Sequence, residues 1–238
     1  MIHIITPTTR PENLPEIYAA IMEAITATKE PFRWHVVFDG EPKELNYPLS
    51  SFRFTEFAWQ PSAGKGAWGN PQRNRGLEEV ARFQRQWEAT QGNDACPHCE
   101  RSAETPLRYV YFCDDDNIPH PGLFERAMAL QGQSGKRKAE SGNGSGASDD
   151  GGRIVIVNQI RKDGSVRLRV NNDVVLCGID TAQAFIPHAL IGDLRWDAFP
   201  NPADYYFLRA LWEKHRERFI FLNENLSHYN YLRVNGPP

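Results

Sequence analysis

The chain has no apolar run long enough to cross a membrane. A membrane-spanning helix needs about 20 consecutive apolar residues, and polar residues interrupt every apolar stretch of this sequence well before that length. The N-terminus also lacks the basic segment followed by an apolar one that marks a secretory signal. These absences predict a cytoplasmic protein, which leaves room for contact with a membrane surface.

An excess of positive charge is missing as well. The 27 Lys and Arg residues are outnumbered by 30 Asp and Glu residues, which gives a formal net charge of −3. Proteins that hold nucleic acid through its phosphates need a basic surface. The charge balance therefore argues against a nucleic-acid partner. The apolar content, 40% of 238 residues, is ordinary and predicts one globular domain.

Cysteine is scarce, with four residues in the whole chain. Cys113 and Cys177 lie in apolar, strand-like runs and are predicted to be small core residues. Cys96 and Cys99 lie in a polar stretch and supply half of a four-ligand zinc site, or three ligands if His98 joins them. Because no second pair exists, a plain loop, a local metal clip and a redox pair all stay open.

The order of the predicted elements indicates a β-α-β start. Residues 2–6 form an apolar strand, and residues 9–12 have the spacing of a capping box. An apolar stripe at helical spacing covers residues 14–25, and further strands are predicted at 34–38 and 52–57. This order predicts an α/β fold with a mostly parallel central sheet flanked by helices, and ligands at the carboxyl ends of the strands.

The rest of the chain is predicted to add elements to the same sheet. Asn70 and Pro71 suit the start of a helix. The buried side of that helix is predicted to carry Leu77, Val80, Ala81 and Trp87. Strands are predicted at residues 108–113, 153–160, 166–170, 174–177 and 218–222. Helices are predicted at residues 180–190 and 203–215.

Three consecutive aspartates, Asp114, Asp115 and Asp116, follow directly after an apolar strand. Adjacent carboxylates repel one another, so a fold tolerates them best where a cation or solvent relieves the charge. Alternation along an extended chain predicts that the first and third point one way and the second the other. A hard divalent ion binds one or two carboxylates plus substrate phosphates. The triplet therefore predicts a metal site next to a diphosphate, with a solvated acidic turn as the alternative.

Three segments resemble a known family of glycosyltransferases. They are Ile-Ile-Thr-Pro-Thr at residues 4–8, Gln-Arg-Asn-Arg-Gly-Leu at 72–77 and Tyr-Phe-Cys-Asp-Asp-Asp-Asn at 111–117. Their order and rough spacing are similar to those of the proteoglycan-linker glucuronosyltransferases. A DxD motif after an apolar strand is the metal-binding signature of GT-A glycosyltransferases in general, and the family-2 inverting enzymes are the next relatives.

The resemblance implies one GT-A-like domain over residues 1–238. Residues 1–117 would form its nucleotide-binding half, where the resemblance is good, and residues 153–238 its acceptor half, where it is loose. Between them, residues 131–152 are rich in Gly, Ser and charge. Such a composition cannot bury enough apolar surface to offset its ordering entropy, so we expect a disordered insertion.

The resemblance also implies roles for individual residues. The donor-binding set would be Thr6, Pro7, Thr8, Asp39, Arg73, Asn74, Asp114 and Asp115. Asp39 would accept a hydrogen bond from uracil, Asp115 would reach the ribose, and the planar fork of Arg73 suits phosphate. Asp116, with Asp114 and His228, would hold Mn²⁺ or Mg²⁺. Turn, capping, packing and solvated-surface roles remain the alternatives for each of these side chains.

The second half must supply a general base. An inverting transferase needs a carboxylate that deprotonates the acceptor hydroxyl. Asp204, at a predicted helix start, has a position similar to that of the family's catalytic acid, which is a glutamate, so we expect Asp204 to be the base. Asp197 and Glu224 are rivals, and Asp180 is expected near the acceptor. A purely helix-stabilising role for Asp204 stays open.

The sequence therefore predicts a hexosyltransferase-type enzyme that moves a sugar from a UDP-sugar to a glycan or lipid-linked acceptor, with inversion. Two other functions stay open. A sugar nucleotidyltransferase would need a glycine-rich, lysine-bearing loop after the first strand, and residues 6–11 contain no glycine. A non-catalytic nucleotide- or sugar-binding protein would bind the same ligands without turnover.

Overall fold

The computed structural model describes residues 1–41, 44–62, 69–93, 108–131, 152–197 and 202–233. Its strands are β1 (Ile2–Thr8), β2 (Phe32–Asp39), β3 (Thr55–Gln60), β4 (Tyr109–Phe112), β5 (Ile118–Pro119), β6 (Ile154–Ile160), β7 (Val166–Leu168), β8 (Ala184–Pro187) and β9 (Phe219–His228). Its helices are α1 (Leu14–Thr26), α2 (Asn70–Asn93), α3 (Leu123–Gln131), α4 (His188–Ile191) and α5 (Ala203–His215). Among these residues, no helix has both the length and the apolarity needed to cross a bilayer.

All strands belong to one sheet in the order β3-β2-β1-β4-β8-β6-β9-β5, with β7 paired to β6. The N-terminal strands β1 to β4 are mutually parallel, as the sequence predicts. In the second half, β8 runs antiparallel to both β4 and β6, whereas β6 and β9 are parallel. The predicted α/β architecture is confirmed, with a mixed sheet in its second half.

Apolar side chains cover both faces of the sheet. On β1, Ile2 and Ile4 pack on the face covered by α1, while Ile5 packs on the opposite face against α2. This alternation follows from the pleat of a strand. Each fully buried aliphatic side chain contributes about 1.5–3 kcal/mol from the area it removes from water. A strand buried on both faces needs a continuous apolar run, which explains why β1 and β4 are easy to find in the sequence.

Gly76 allows α2 to pack directly on β1. A Cβ at this position would lie 2.4 Å from Cγ2 of Ile5, so no side chain fits without a shift of the helix or strand. Arg73 precedes Gly76 by about one helical turn and therefore shares its face of α2. The close packing brings Arg73 to the carboxyl edge of the sheet.

Residues 180–190 do not form the helix that the sequence predicts. A 3-10 turn at Thr181–Gln183 leads instead into β8 and the short helix α4. Phe185 and Ile186 in β8 are fully buried between β4 and β6. Strand pairing on both sides satisfies the backbone groups and buries both faces. The partner strands are distant in sequence, so the local pattern does not reveal them.

The predicted strands at 174–177 and 52–57 also need correction. Residues 174–177 form no strand, because Cys177 has a φ of +59° and is exposed instead of buried. Strand β3 begins only at Thr55, because Phe52 closes a 3-10 turn. The last strand, β9, runs on to His228, so this histidine lies at the end of the strand and not beyond it. Cys113 is buried, as predicted.

Two helix predictions differ in detail. The capping box expected at residues 9–12 is absent, because helix entry is a 3-10 turn at Pro11–Asn13 without a side-chain cap. In α2, Trp87 is 38% exposed, and Phe83 is the aromatic residue buried on that helix. The cysteine pair at residues 96 and 99 and residues 132–151 of the insertion lie outside the described residues.

Candidate active site

The carboxyl ends of β1, β2 and β4 bring together the first-strand residues that the sequence predicts to bind a donor. The hydroxyl of Thr6 is buried and accepts a hydrogen bond from Nε1 of Trp34 at 2.9 Å. Pro7 lies beside Gly69 at the start of α2. The Thr8 hydroxyl donates to Asp115 at 3.3 Å. These residues therefore link the first strand to both the acidic triplet and α2.

Asp115 fixes the loop between β1 and α1. Its Oδ2 accepts hydrogen bonds from the backbone N–H groups of Thr9 and Arg10 at 2.7 and 2.8 Å, and from the Thr9 hydroxyl at 3.2 Å. Its Oδ1 accepts from Nε of Arg10 at 2.9 Å, and its backbone carbonyl accepts from Asn13 at 2.7 Å. Both oxygens of the Asp115 carboxylate thus accept hydrogen bonds from the loop. Contact of this carboxylate with a ribose remains a prediction.

Asp116 lies between two arginines. Its Oδ2 is 2.9 Å from Nη2 of Arg10 and 4.0 Å from Nε of Arg233. Its backbone carbonyl accepts a hydrogen bond from Leu232 at 3.0 Å, so the C-terminal segment wraps around the triplet. The predicted alternation is wrong, since Asp115 and Asp116 share Arg10. Strand β4 ends before the triplet, and Asp115 and Asp116 lie in the turn that follows, where the alternation of an extended strand does not hold.

Asp114 forms the third ion pair of the triplet. Nη2 of Arg73 donates to its Oδ1 at 2.6 Å, and Nη1 of Arg73 donates to Asn70 at 3.1 Å. Arg73 is buried, with 4% of its surface exposed. Burial raises the pKa of Asp114 while Arg73 lowers it, and the negative charges of Asp180 and Asp204 raise it further. The charges of carboxylates from both halves of the chain therefore act on Asp114.

The second half contributes Asp180 and Asp204. Asp180 accepts from the backbone N–H of Ala182 and from Nη1 of Arg167, both at 2.9 Å. The adjacent Thr181 hydroxyl donates to Oδ1 of Asp204 at 3.2 Å, in the first turn of α5. Burial raises the pKa of Asp180, and the charge of Asp204 adds to that rise. The charge of Asp204 also acts on Asp114 of the acidic triplet, and its role as the base remains a prediction.

The two rival bases lie in different surroundings. Asp197 is exposed. Glu224 on β9 accepts a hydrogen bond from Nε of Arg126 on α3 at 3.0 Å, and this contact lowers its pKa. A carboxylate in a surface ion pair is a weaker proton acceptor than one with a free oxygen. Which of the three carboxylates acts as the base remains a prediction.

The first turns of α2 hold neighbouring segments in place. Nδ2 of Asn74 donates to the carbonyl of Trp196 at 2.8 Å, and the N–H of Trp196 donates back to Asn74 at 2.9 Å. Gln72 donates to Oδ1 of Asp39 at 2.9 Å, at the end of β2. Asp39 keeps its second oxygen for a ligand, whereas the amide of Asn74 fastens the backbone before α5. A donor contact of either residue stays a prediction.

Solved structures share this arrangement of elements, although no family model and no curated protein sequence matches the chain. The mannosyltransferase PcManGT from Pyrobaculum calidifontis, in complex with GDP-Man and Mn²⁺, superimposes with a TM-score of 0.57 at 12% identity. The chain has the GT-A-type nucleotide-diphospho-sugar transferase fold. The match covers 98% of this chain and 57% of that one, so the chain spans little more than half of the mannosyltransferase. A mycobacterial protein gives a TM-score of 0.51 at 13% identity, over 100% of this chain and 68% of its own.

The sequence predicts a divalent cation held by Asp116, Asp114 and His228. Nδ1 of His228 is buried without a hydrogen-bond partner among the described residues. Burial, with the neighbouring ring of His120, lowers the pKa of His228, so its imidazole is neutral near pH 7. The same described ranges contain no group of three or more metal-ligating side chains. One or two carboxylates and an imidazole fit a cation whose remaining ligands are substrate phosphates and water.

Sequence reasoning found Arg73 but missed three other arginines beside the carboxylates of the site. Arg10 contacts Asp115 and Asp116, Arg167 contacts Asp180, and Arg233 lies 4.0 Å from Asp116. The sequence signal that could have revealed these arginines is the negative charge of the three consecutive aspartates. A buried carboxylate needs a partner, so three consecutive aspartates at a strand end require nearby cations or a metal.

Proposed function

We propose that the protein is a glycosyltransferase that moves a sugar from a nucleotide-diphosphate sugar to an acceptor hydroxyl. One observation carries the proposal. Asp114 is paired with the buried Arg73 at the carboxyl edge of a GT-A-type sheet, and the charges of Asp180 and Asp204 from the second half act on it. The binding of GDP-Man and Mn²⁺ by the mannosyltransferase of the same fold supports this assignment.

The donor would lie along the ends of β1, β2 and β4. Asp39 is placed at the end of β2, where its free oxygen can accept a hydrogen bond from a nucleobase N–H. Thr6, Pro7 and Thr8 form the adjoining strand end, and Arg73 is a cation held by Asp114 at the same edge of the sheet. Uracil was the sequence-based expectation and guanine is the base bound by the mannosyltransferase, so both donor classes are candidates.

The leaving diphosphate needs charge neutralisation. A bound Mn²⁺ or Mg²⁺ supplies it by coordinating phosphate oxygens. Asp116 and His228 would hold the cation, with Asp114 beside them. Arg10 and Arg233 flank Asp116 and can donate charge-assisted hydrogen bonds to phosphate.

Asp204 would act as the general base. Thr181 occupies its Oδ1, which leaves Oδ2 to accept the proton of the acceptor hydroxyl. The acceptor oxygen then forms a bond to the anomeric carbon from the face opposite the diphosphate, while the bond between that carbon and the phosphate oxygen breaks. This single displacement inverts the anomeric configuration. Asp180 is a poorer candidate, since Ala182 and Arg167 already occupy both of its oxygens.

A donor panel tests the proposal. The protein is incubated with Mn²⁺ and UDP- or GDP-linked sugars, and the release of free nucleotide diphosphate is measured. We expect slow release from one donor class, because water can replace a missing acceptor. Tight binding without any release, with or without candidate glycan or lipid-linked acceptors, would instead identify a non-catalytic binding protein.

A further inference from the structure

The hairpin that β6 and β7 form is basic, although the chain as a whole is acidic. Between positions 161 and 169 it carries four basic residues and a single acidic one, Asp163, whereas the formal net charge of the chain is −3. We call residues 161–169 the basic hairpin. An anionic partner that the whole protein repels would be attracted here, because charges act mainly within a Debye length of about 8–10 Å.

Three of the four cations of the basic hairpin form no ion pair with a carboxylate in the part of the chain that the structure describes. These are Arg161, Lys162 and Arg169, of which the last two are exposed. Nη1 of Arg161 donates to the Ser165 hydroxyl at 3.4 Å. The one carboxylate of the hairpin, Asp163, accepts the backbone N–H of Ser165 at 2.9 Å. The hairpin therefore presents more positive charge to solvent than its own carboxylate can neutralise.

The fourth cation, Arg167, joins the basic hairpin to the carboxylates of the site. Its Nη1 is 2.9 Å from Oδ2 of Asp180, and its Cζ lies 3.6 Å from the ring centre of Tyr229 in the C-terminal segment. Asp180 immediately precedes Thr181, whose hydroxyl donates to Asp204 at 3.2 Å. The basic hairpin therefore borders the carboxylate that we propose as the base.

An exposed apolar side chain lies near the same carboxylates. Leu176 is 56% exposed, and Cys177, which follows it, is exposed as well. Leu176 precedes Asp180 by four positions. Because an extended chain spans at most about 3.6 Å per residue, the two Cα atoms lie within about 14 Å of each other. Since Arg167 contacts Asp180 too, an uncovered leucine and the basic hairpin flank the same carboxylate.

Basic side chains beside an exposed apolar one fit an anionic lipid bilayer. Each Lys or Arg near such a bilayer strengthens binding about fivefold, and an apolar side chain that enters the interface adds to this. Single-stranded nucleic acid would instead need aromatic rings with free faces for its bases. The rings of Tyr229 and Tyr231 each already hold a cation over one face, Arg167 at 3.6 Å and Lys162 at 5.3 Å. The surface therefore favours lipid over nucleic acid.

We propose that the basic hairpin and Leu176 form a docking surface for an anionic lipid bilayer. The cations contact lipid phosphates, and Leu176 enters the interface between the headgroups and the acyl chains. Docking brings the side of the site that carries Asp180 and Asp204 next to the bilayer. Resting on the proposed function, the acceptor whose hydroxyl Asp204 deprotonates is then a lipid-linked one, held at the membrane surface.

Co-flotation with lipid vesicles tests the docking directly, without donor or acceptor. The protein is mixed with vesicles of phosphatidylcholine alone and with vesicles that also contain phosphatidylglycerol. We expect binding to the anionic vesicles to be at least about tenfold tighter, and to weaken as salt is raised, because salt screens the attraction. Equal binding to both kinds of vesicle, or binding to neither, would overturn the proposal.

Removing the charge of the basic hairpin should remove most of this binding. The triple variant Arg161→Gln, Lys162→Gln, Arg169→Gln should bind anionic vesicles about 100-fold more weakly, at about fivefold per cation. Leu176→Gln should weaken binding about fivefold, because it takes an apolar side chain out of the interface. The side chain of Lys162 is exposed, so Lys162→Gln alone keeps the test informative if the triple variant fails to fold.

A second triple variant is the matched control. Arg53→Gln, Arg85→Gln and Lys214→Gln remove the same charge from exposed positions outside the docking surface, so this variant should bind anionic vesicles as the wild type does. An equal loss in both triple variants would overturn the proposal, since overall charge would then explain the binding. So would tighter binding of a single-stranded RNA oligonucleotide than of anionic vesicles at the same ionic strength, because the hairpin would then be a nucleic-acid surface.

Failure of the proposed function looks different. In that case no donor releases its nucleotide diphosphate, while the binding of anionic vesicles and its loss in the hairpin variant stay as expected. The docking surface then stands, and only the lipid-linked acceptor is withdrawn.

Discussion

The two halves of the sheet supply carboxylates in different ways. In the first half, strands alternate with helices, and the acidic triplet is held by arginines from the same half and from the C-terminal segment. In the second half, short strands pair with distant partners, and Asp204 has only a threonine hydroxyl at 3.2 Å as its described hydrogen-bond partner. The carboxylates of the first half are thus neutralised by arginines, whereas Asp204 in the second half keeps one carboxylate oxygen that could accept a proton.

The largest expected effect comes from a pair of buried histidines in the first half, which should make the stability of the fold sensitive to acid. His3 and His35 are buried side by side on β1 and β2, with Nδ1 of His3 3.0 Å from Nε2 of His35. Burial lowers the pKa of His3 to about 2, helped by His35, His188 and Arg108. Burial lowers the pKa of His35 to about 3, helped by the charges of Arg33 and Arg82. His188 and Glu56 are the other titratable groups facing the pair.

Both histidines have a folded pKa below the unfolded value near 6.5, so the unfolded chain binds more protons below that pH. Stability is therefore fully present above pH 6.5 and is lost as pH falls toward 3. Two protons give a slope of about 2.7 kcal/mol per pH unit, or about 5 kcal/mol between pH 6.5 and 4.5. Urea unfolding across this range measures it. His3→Gln should reduce the slope, and an unchanged unfolding free energy at pH 4.5 would show that the pair is not neutral in the fold.

Removing the proposed base should come next in size. Asp204→Asn keeps the side-chain volume but cannot accept a proton, so sugar transfer should fall about 10²-fold or more. Nucleotide affinity should barely change, because the donor edge is built by the other half. Initial rates and calorimetry together test this. Asp197→Asn and Glu224→Gln are matched controls and should keep near-normal rates; loss of activity in either, with Asp204→Asn active, would place the base elsewhere.

The contact between α2 and β1 predicts a moderate loss of stability. In Gly76→Ala, the new methyl group meets Ile5 at 2.4 Å, and overpacking of this kind costs about 1–3 kcal/mol. The shift of α2 should also move Arg73 and weaken nucleotide binding. Thermal unfolding and calorimetry measure the two effects. Gly164→Ala tests backbone strain alone, since nothing lies within 4 Å of a Cβ there but its φ is +82°.

The smallest effect is expected from the stretch between the two halves. Residues 132–151 are rich in Gly, Ser and charge, and the side chain of Gln131 already hydrogen-bonds the backbone of Arg153 at 2.6 and 3.1 Å. A short Gly-Ser bridge can therefore join the ends. Differential scanning calorimetry should show a melting temperature within a few degrees of the wild type, and a larger drop would mean that the stretch contributes to the core.

The sequence predicted the first half of the fold well, for a physical reason. Strands such as β1 and β4 are buried on both faces and have continuous apolar runs, and α1 has a regular apolar stripe at Leu14, Ile17, Ile21 and Ile25. These are local signals. The positions of Asp114 to Asp116 at a strand end could be read from the same pattern.

The fold of the second half depends on contacts between residues that are distant in sequence, and a local sequence pattern does not reveal such contacts. Strand β8 exists because β4 and β6 flank it, so residues 180–190 were predicted as a helix. Arg233 reaches Asp116 from the far end of the chain, and Arg10 does so from the first loop. Partners of this kind depend on the completed fold. Helix α5 and strand β6 are exceptions, since the predicted bounds 203–215 match the helix and 153–160 match the strand to within one residue.

The most direct test of the account is the affinity of nucleotide diphosphate in Mn²⁺ compared with EDTA, measured by calorimetry on the wild type and on Asp116→Ala. The account predicts that Mn²⁺ tightens binding to the wild type and that Asp116→Ala loses this gain. The melting temperature of the variant should change by no more than a few degrees, because Arg10 keeps its ion pair with Asp115. Equal affinity of the wild type in Mn²⁺ and in EDTA would contradict a metal–diphosphate site at the acidic triplet.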